Sequence, residues 1–150
     1  MFSETAHAYI AGYTDAEALI GVYRSKDTWH AEVAFKQTQS VVVEWMQTVY
    51  GGSMTMQRPK RGRPLKRLRI QAWADVQRFL RDVLPYLREK RAQAEIVLNE
   101  FNSRLDNSAL DMALRQLKRT IPSPVTVPQH LAIAARNTDA KPSPCGRSGR

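Results

Sequence analysis

Two carboxylates stand at the end of a row of small residues near the start of the chain. Ala8, Gly12 and Ala16 recur every four residues, so on a helix they form one ridge without bulk that a second backbone can approach closely. Asp15 and Glu17 lie at the end of this ridge. If a second copy of the helix packed on the ridge, acids from both copies would meet, and a divalent cation between them would offset their repulsion. The spacing therefore favours a metal site built across an interface.

The same residues also fit a pattern that begins helices. Thr14 is followed three residues later by Glu17, as in a capping box, where both side chains bond to backbone N–H groups at the start of a helix. Spacing alone leaves both interpretations open, because each of them needs an acid at position 17.

Length and composition exclude several classes of protein. The chain has 150 residues, of which 43% are hydrophobic and 25% charged, as expected for one globular domain with an adequate core. It contains no apolar run of membrane-spanning length and no leader-like segment, so we expect neither membrane insertion nor secretion. The single Cys145 cannot form an internal disulfide, and the three histidines lack partners at zinc-ligand spacing. We expect a reducing compartment, either the cytoplasm (a bacterial or phage nucleoid) or an organelle that encodes the protein.

Positive charge is concentrated in the second part of the chain. Residues 1–57 contain three Lys or Arg and six Asp or Glu, whereas residues 58–150 contain 20 basic and eight acidic side chains. The net charge of +9 therefore comes from the second part alone. This asymmetry favours a polyanionic partner, with nucleic acid as the first candidate. The alternative is an excess of charge that only increases solubility.

Hydrophobic periodicity predicts a mixed α+β domain that positions these residues. Alternation over residues 29–36 is typical of a half-buried strand, and it follows an apolar strand across a short turn, so the two form a hairpin. The predicted strands are residues 19–24, 29–36, 53–57 and 65–71. The predicted helices are residues 4–17, 40–50, 75–84, 85–101 and 108–118. Residues 121–150 contain five prolines, and we predict that they form a flexible basic tail outside a domain of residues 1–120.

A nine-residue segment resembles the signature of the LAGLIDADG homing endonucleases: Ile10-Ala11-Gly12-Tyr13-Thr14-Asp15-Ala16-Glu17-Ala18. The predicted order of elements is also similar to the α-β-β-α-β-β-α fold of that family. Residues 84–94 are similar to the part of single-motif members in which a helix started by a proline carries an active-site lysine. Because the chain has one motif, the resemblance implies the homodimeric type, with a curved antiparallel four-stranded sheet that binds DNA.

The resemblance implies roles for individual residues. Glu17 would bind the divalent metal, and the carbonyl of Ala16 would be a further ligand. Lys90 would lie near the scissile phosphate. The active-site glutamine at the end of the second strand would be Gln37, with Gln39 as the second choice.

Other positions in the motif region differ from the family pattern or have a structural role. The ridge would form the dimer interface, and Asp15 would be a helix-end or structural carboxylate. Ala18 replaces the glycine that usually closes the motif, and its methyl group could crowd the turn into the first strand. Val41 occupies the place of an arginine that some relatives have.

The implied function is site-specific cleavage of double-stranded DNA. The resemblance implies a homodimeric endonuclease that depends on Mg²⁺ or another divalent metal such as Mn²⁺, with no small-molecule cofactor. The target would be long and pseudo-palindromic, and the biological role would be homing of an intron. The alternative is a non-cleaving nucleic-acid-binding relative, such as an intron maturase or a transcription regulator.

Polar side chains of the hairpins are the candidates for contacts with DNA, because a β-ribbon fits the major groove. The candidates are Tyr23, Arg24, Lys26, His30, Glu32, Lys36, Gln57, Arg58, Lys60, Arg61, Arg63, Lys66, Arg67 and Arg69. Within this set, residues 61–64 read Arg-Gly-Arg-Pro, the core of an AT-hook that lies in the minor groove. Glycine and proline between two strands also favour a hairpin tip that contacts the DNA backbone.

Overall fold

A computed structural model describes residues 3–38 and 41–119. Its helices are α1 (Glu4–Glu17), α2 (Val41–Tyr50), α3 (Trp73–Val83), α4 (Arg91–Glu100) and α5 (Ser108–Arg119). Its strands are β1 (Ala18–Ser25), β2 (Thr28–Gln37), β3 (Ser53–Gln57) and β4 (Leu65–Ile70). The predicted tail and the second-choice glutamine, Gln39, lie outside the described residues.

The strands form one antiparallel four-stranded sheet in the order β1-β2-β4-β3. Each predicted hairpin is present, and strands β2 and β4 join the two hairpins through pairs such as Phe35 with Leu68. The α+β class and the predicted α-β-β-α-β-β-α order are therefore confirmed.

The core lies between the helices and one face of the sheet, which we call the core face. Phe35 of β2 meets Phe79 of α3 edge to face at 6.0 Å between ring centroids, and Tyr50 of α2 meets the same ring at 4.9 Å. All three side chains are at most 1% exposed. Replacing a buried Phe of this kind by Ala typically costs about 3–5 kcal/mol of stability. This packing gives the sheet a rigid support.

The opposite face of the sheet, the outer face, is partly covered. The sequence predicts that β2 is buried on one side only, but Glu32 and Ala34 on its outer face are also buried. Charged side chains of β4 and residues of α5 lie over this part of the sheet. The alternation in sequence could not reveal this cover, because it comes from segments distant in the chain.

The predicted helix over residues 85–101 is wrong in its first part. Residues Leu84–Tyr86 form a single 3-10 turn, residues 87–90 are non-helical, and α4 begins at Arg91. The backbone N–H groups of Arg88 and Lys90 donate to the Asp15 carboxylate at 2.8 and 2.9 Å. These donors are bound by another helix, so the segment does not wind into α4.

A pair of glycines allows α2 to turn directly into β3. Gly51 and Gly52 have φ angles of 74° and 94°, in the left-handed region that favours glycine. A Cβ atom at Gly52 would lie 2.6 Å from the backbone oxygen of Arg69. The second hairpin therefore packs against the end of α2 at a distance that only glycine permits. In the part of the chain that is described, no helix is both long and apolar enough to cross a membrane.

Candidate active site and nucleic-acid interface

The C-terminal end of α1 leads into the sheet without a loop. Glu17 is the last helical residue, and Ala18 already has the extended φ and ψ of −82° and 149° while its N–H donates to the carbonyl of Thr14. Extended backbone is available to any residue, so the methyl group of Ala18 does not crowd the junction. The concern raised by the missing glycine is not supported.

The capping-box interpretation of this segment is wrong. Thr14 is fully buried inside α1, and its hydroxyl donates to the carbonyl of Ile10 at 2.7 Å. A side chain bonded to the preceding turn belongs to a helix interior, not to a helix start. Ser3 caps α1 instead, since its side chain accepts from the N–H of Ala6.

The ridge of small residues is on the surface. Ala8, Gly12 and Ala16 are all exposed, whereas Ile10 and Ala11 on the other side of α1 are buried in the core. A Cβ atom at Gly12 would find nothing within 4 Å in the described chain. The neighbouring Tyr9 is 56% exposed. All three side chains of the ridge are therefore exposed in the part of the chain that the structure describes.

Asp15 and Lys90 form a mutual lock between α1 and the start of α4. The Asp15 carboxylate accepts both backbone N–H groups described above. In return, the Lys90 ammonium donates to the carbonyl of Thr14 at 3.0 Å and to the carbonyl of Asp15. A cation at the C-terminus of a helix also interacts favourably with the helix dipole. The lock fixes the lysine beside the last turn of α1.

Lys90 has an environment that disfavours its charge. Burial lowers the pKa of its ammonium group, while the negative charges of Asp15, Glu89 and Glu17 act in the opposite direction. The interaction with Glu17 places the two predicted active-site residues in one electrostatic environment.

Glu17 lines a cavity of about 200 Å³ on the outer face of the sheet. The other polar side chains in its wall are Lys36 of β2 and Arg67 of β4, which are paired across the two strands. Leu19 and Ala34 form its floor. An exposed acid beside two cations can bind a metal ion through the acid while the cations hold phosphate oxygens.

The candidate metal ligands near Glu17 are few in the part of the chain that the structure describes. Within residues 3–38 and 41–119, no group of three or more His, Cys, Asp or Glu side chains is suitably placed for a metal. The available oxygens are those of the Glu17 carboxylate and the carbonyl of the exposed Ala16. This donor set suits a hard divalent cation, provided that a second copy of the chain contributes the same atoms.

The structure does not bring Gln37 to this cavity. Gln37 is the last residue of β2, as predicted, and it pairs with Lys66. Lys36 lies on the outer face, so the next residue points to the core face. Gln37 is absent from the residues that line the cavity of Glu17.

The predicted DNA-contacting residues divide into groups by position. The side chains on the outer face are Tyr23, His30, Glu32, Lys36, Gln57, Arg67 and Arg69. Those in the connection between β3 and β4 are Arg58, Lys60, Arg61 and Arg63, which are exposed, and Lys26 lies in the β1–β2 turn. The connection joins two paired strands, which agrees with the hairpin-tip interpretation of the Arg-Gly-Arg-Pro segment.

Two of the predicted DNA-contacting residues lie on the core face. Arg24 pairs with Trp29, which packs against the core, so Arg24 lies on the core face at the end of β1. Lys66 also lies on the core face, where its ammonium forms an ion pair with Glu44 of α2. Successive residues of a strand alternate between its two faces, so Lys66 does not share the face of Arg67.

The fold is shared with solved structures of DNA-bound enzymes. The homing endonuclease I-CvuI in complex with the I-CreI target is 20% identical, with 89% of this chain and 94% of that chain covered and a TM-score of 0.60. The archaeal intron-encoded homing endonuclease I-Vdi141I complexed with DNA is 14% identical, with coverages of 90% and 96% and a TM-score of 0.55. The LAGLIDADG homing endonuclease I-GzeII, in complex with its DNA target, is 15% identical, but this chain covers only 53% of it, with a TM-score of 0.52. No family model matches the sequence, and neither does any curated protein.

The similarity to these solved structures establishes the fold. The chain has the LAGLIDADG homing-endonuclease fold. A second cavity of about 320 Å³ lies beside the cavity of Glu17, and Leu19 and Arg67 line both. We call these two neighbouring cavities of the outer face the groove, one end of which lies at the end of α1.

The contribution of α5 to this groove was not predicted from the sequence. Lys118 lies over the outer face of β1, with its ammonium 3.5 Å from where a Cβ atom of Gly21 would be, and Arg115 lines the same cavity. Burial lowers the pKa of Lys118, opposed by Asp111, while Arg115 and Lys90 lower it further. A signal was present in the sequence: Lys118 follows the buried Leu114 by four residues and so shares the packed side of the helix.

Proposed function

We propose that this chain is the subunit of a homodimeric, site-specific DNA endonuclease that hydrolyses phosphodiester bonds with a divalent metal. The observation that carries the proposal is the position of Glu17. This exposed acid ends the ridge of α1 and begins the cationic groove of the outer face. Two copies packed on their ridges would place two such acids side by side at the meeting point of two grooves.

The residues of the site have distinct roles in this proposal. A divalent ion, preferably Mg²⁺, held by Glu17 and the carbonyl of Ala16 of both copies would supply Lewis-acid polarisation of the phosphate and activation of water. Lys90 would add positive charge near the scissile phosphate, where a water-poor site strengthens it. Lys36 and Arg67 would bind neighbouring phosphate oxygens. Asp15 would hold Lys90 in place without touching the metal.

The groove suits duplex DNA as the substrate. The solved structures that share the fold are DNA complexes. A four-stranded ribbon with polar side chains fits the major groove, and the exposed basic connection between β3 and β4 would bind phosphates. A symmetric pair of such surfaces implies a long, pseudo-palindromic target, consistent with a role in intron homing.

A cleavage experiment tests the proposal directly. Duplexes bound by the protein are selected from a random pool in Ca²⁺ and then incubated in Mg²⁺, in Mn²⁺ and without metal. We expect double-strand cutting with Mg²⁺ and Mn²⁺, and its loss in Glu17→Gln while binding persists. Glu100→Gln removes an exposed acid at the far end of α4 and serves as the matched control, with cutting unchanged.

A non-cleaving nucleic-acid binder, such as a maturase or transcription regulator, is the second candidate. Val41, in the place of an arginine found in some relatives, is 79% exposed at the start of α2 and provides no charge there. Tight binding of a selected duplex without cutting in any metal would reject the nuclease and favour this candidate.

A further inference from the structure

The outer face of the sheet contains a buried acid. Glu32 of β2 is 4% exposed, and it is the only buried charged side chain among residues 3–38 and 41–119. One carboxylate oxygen accepts from Nη2 of Arg67 at 3.0 Å. The other accepts from Nε of Arg69 at 2.8 Å, from Nη2 of the same arginine and from the amide of Gln71 at 3.1 Å. Both oxygens therefore accept from donors of β4 or the residue after it, one oxygen from a single donor and the other from three.

Stability alone is a weak reason for this arrangement. Taking charges out of water costs about as much as their attraction returns, so a buried ion pair contributes little net stability. An acid also repels the phosphates that this face is proposed to meet. The acid would reduce the charge of the two arginines from +2 to a net +1, which weakens non-specific attraction to DNA.

Glu32 uses one edge of the Arg69 guanidinium, and the Tyr23 hydroxyl is a further hydrogen-bond partner of this group. Glu32 occupies the edge formed by Nε and Nη2, so the N–H groups at the end of the guanidinium, one on each Nη, point away from the acid. The ring of Tyr23 lies 5.5 Å from the guanidinium carbon and supports it from one side. The Tyr23 hydroxyl accepts from Gln71, and its ring stacks on His30 at 5.3 Å. The arginine is held on two sides, and its side chain keeps 30% exposure.

We propose that Glu32 is a positioning residue that makes Arg69 selective for a guanine edge in the major groove instead of for phosphate. The end-on pair of N–H groups matches the N7 and O6 acceptors of guanine, and a fixed guanidinium loses little freedom when it binds them. A mobile arginine would reach any nearby phosphate. This inference rests on the proposed function, because it requires that the outer face binds duplex DNA.

The first test compares three full-length variants with the wild type. Glu32→Gln removes the charge and frees the arginines, and Glu32→Asp keeps the charge but shortens the side chain. Glu44→Gln is the matched control, because its carboxylate pairs with Lys66 on the core face. Each protein selects duplexes from one random pool in Ca²⁺, and binding to the selected and to a scrambled duplex is measured against salt concentration.

We expect Glu32→Gln to lose about tenfold in preference for guanine at one or more positions of the half-site. Its affinity for the scrambled duplex should rise, with a salt dependence steeper by about one released counterion. Glu32→Asp should lose the preference without the gain in affinity, and Glu44→Gln should keep the wild-type preference. Unchanged base preference in both Glu32 variants would overturn the inference.

A second variant keeps the inference testable if a Glu32 variant does not fold. Breaking a buried ion pair can be strongly destabilising, so thermal unfolding of each protein is measured first. Arg69→Lys retains a cation beside Glu32 but removes the fork of donors, and it should lose the same guanine preference. If Arg69→Lys keeps it, the inference fails even when Glu32→Gln does not fold. If the wild type itself enriches no duplex, the proposed function fails. If the wild type enriches a duplex but the variants keep its guanine preference, only this inference fails.

Discussion

Asp15 and Glu17 are separated by one residue, but the structure gives them different surroundings. Asp15 points towards residues 88–90 and accepts two backbone N–H groups, whereas Glu17 is exposed at the edge of the groove. An acid that is already bonded to two donors is poorly available to a metal, and an exposed acid beside cations is available. This difference agrees with the structural role expected for Asp15.

At the residue scale we predict that Asp15→Asn destabilises the protein. An amide cannot accept both N–H groups as a carboxylate does, and a hydrogen bond to a charged group contributes about 1.5–3 kcal/mol. Urea unfolding at neutral pH should show a loss of about this size. Asp27→Asn, in the exposed turn between β1 and β2, is the control and should change the free energy of unfolding by less than about 0.5 kcal/mol. Equal midpoints for the two variants would contradict the lock between α1 and α4.

The stability that Lys90 contributes depends on pH, and the sign of this dependence follows from the lowered pKa of its ammonium group. Between that lowered pKa and the ordinary lysine value of 10.5, the unfolded chain binds more protons at this lysine than the folded chain does. Stability contributed by Lys90 therefore rises with pH in this window. The window closes above 10.5, where both states are neutral.

We predict that Lys90→Met removes this alkaline rise. As pH increases through the window, the free energy of unfolding of the wild type should rise relative to that of Lys90→Met. Urea unfolding at several pH values measures this difference. Lys26→Met, in the exposed turn, should follow the wild type throughout, because no burial acts on that lysine. A constant difference between wild type and Lys90→Met would show that burial does not shift this group. Cutting by Lys90→Met should be strongly reduced at every pH.

At the scale of elements, α1 has two different sides. One side, with Ile10 and Ala11, is buried in the core, and the other presents the exposed ridge with Tyr9 beside it. A ridge of small residues is suited to close packing with another helix. In the proposed dimer, packing of the two ridges would set the position of Glu17.

We predict that Gly12→Leu abolishes dimerisation and leaves the subunit folded. The site has open space within one chain, so the larger side chain meets no neighbour there, but it separates two ridges. Sedimentation should show a monomer with a wild-type circular dichroism spectrum. Gly12→Ala is the matched control and should stay dimeric, with the monomer stabilised by about 0.5–1 kcal/mol through the helix preference of alanine. A Gly12→Leu protein that remains dimeric would exclude the ridge as the interface.

For the whole molecule, two subunits should share one catalytic centre. When wild type and Glu17→Gln are refolded together in equal amounts, only dimers with two intact acids should cut both strands. Random pairing then leaves about a quarter of the wild-type strand cleavage, whereas independent subunits would leave about half, because each mixed dimer would still nick one strand. Nicked and linear products of a plasmid that carries the selected target distinguish the two results, and mixing wild type with Glu100→Gln instead should leave cleavage unchanged.

The sequence predicted elements where the signal was local. Three local signals each predicted an element near its observed bounds: the alternation in β2, the glycine pair after α2 and the motif region. Side-chain periodicity and turn residues involve only a few neighbouring positions, so they can be identified in the sequence. The start of α4 was misplaced because Asp15, far away in sequence, accepts the N–H groups of Arg88 and Lys90. The position of Arg24 on the core face was not predicted, because it follows from the pairing of β1 with β2.

The sequence by itself determined the order of helices and strands, the ridge of α1, the acid at its end and the concentration of positive charge in the second part. These depend on residue type and spacing. Only the tertiary structure showed that Asp15 accepts the N–H groups of Arg88 and Lys90, brought Lys90 and Lys118 to the same region, and joined Glu32 to Arg67 and Arg69. Such contacts link residues that are tens of positions apart, and they arise only when the sheet and helices have packed.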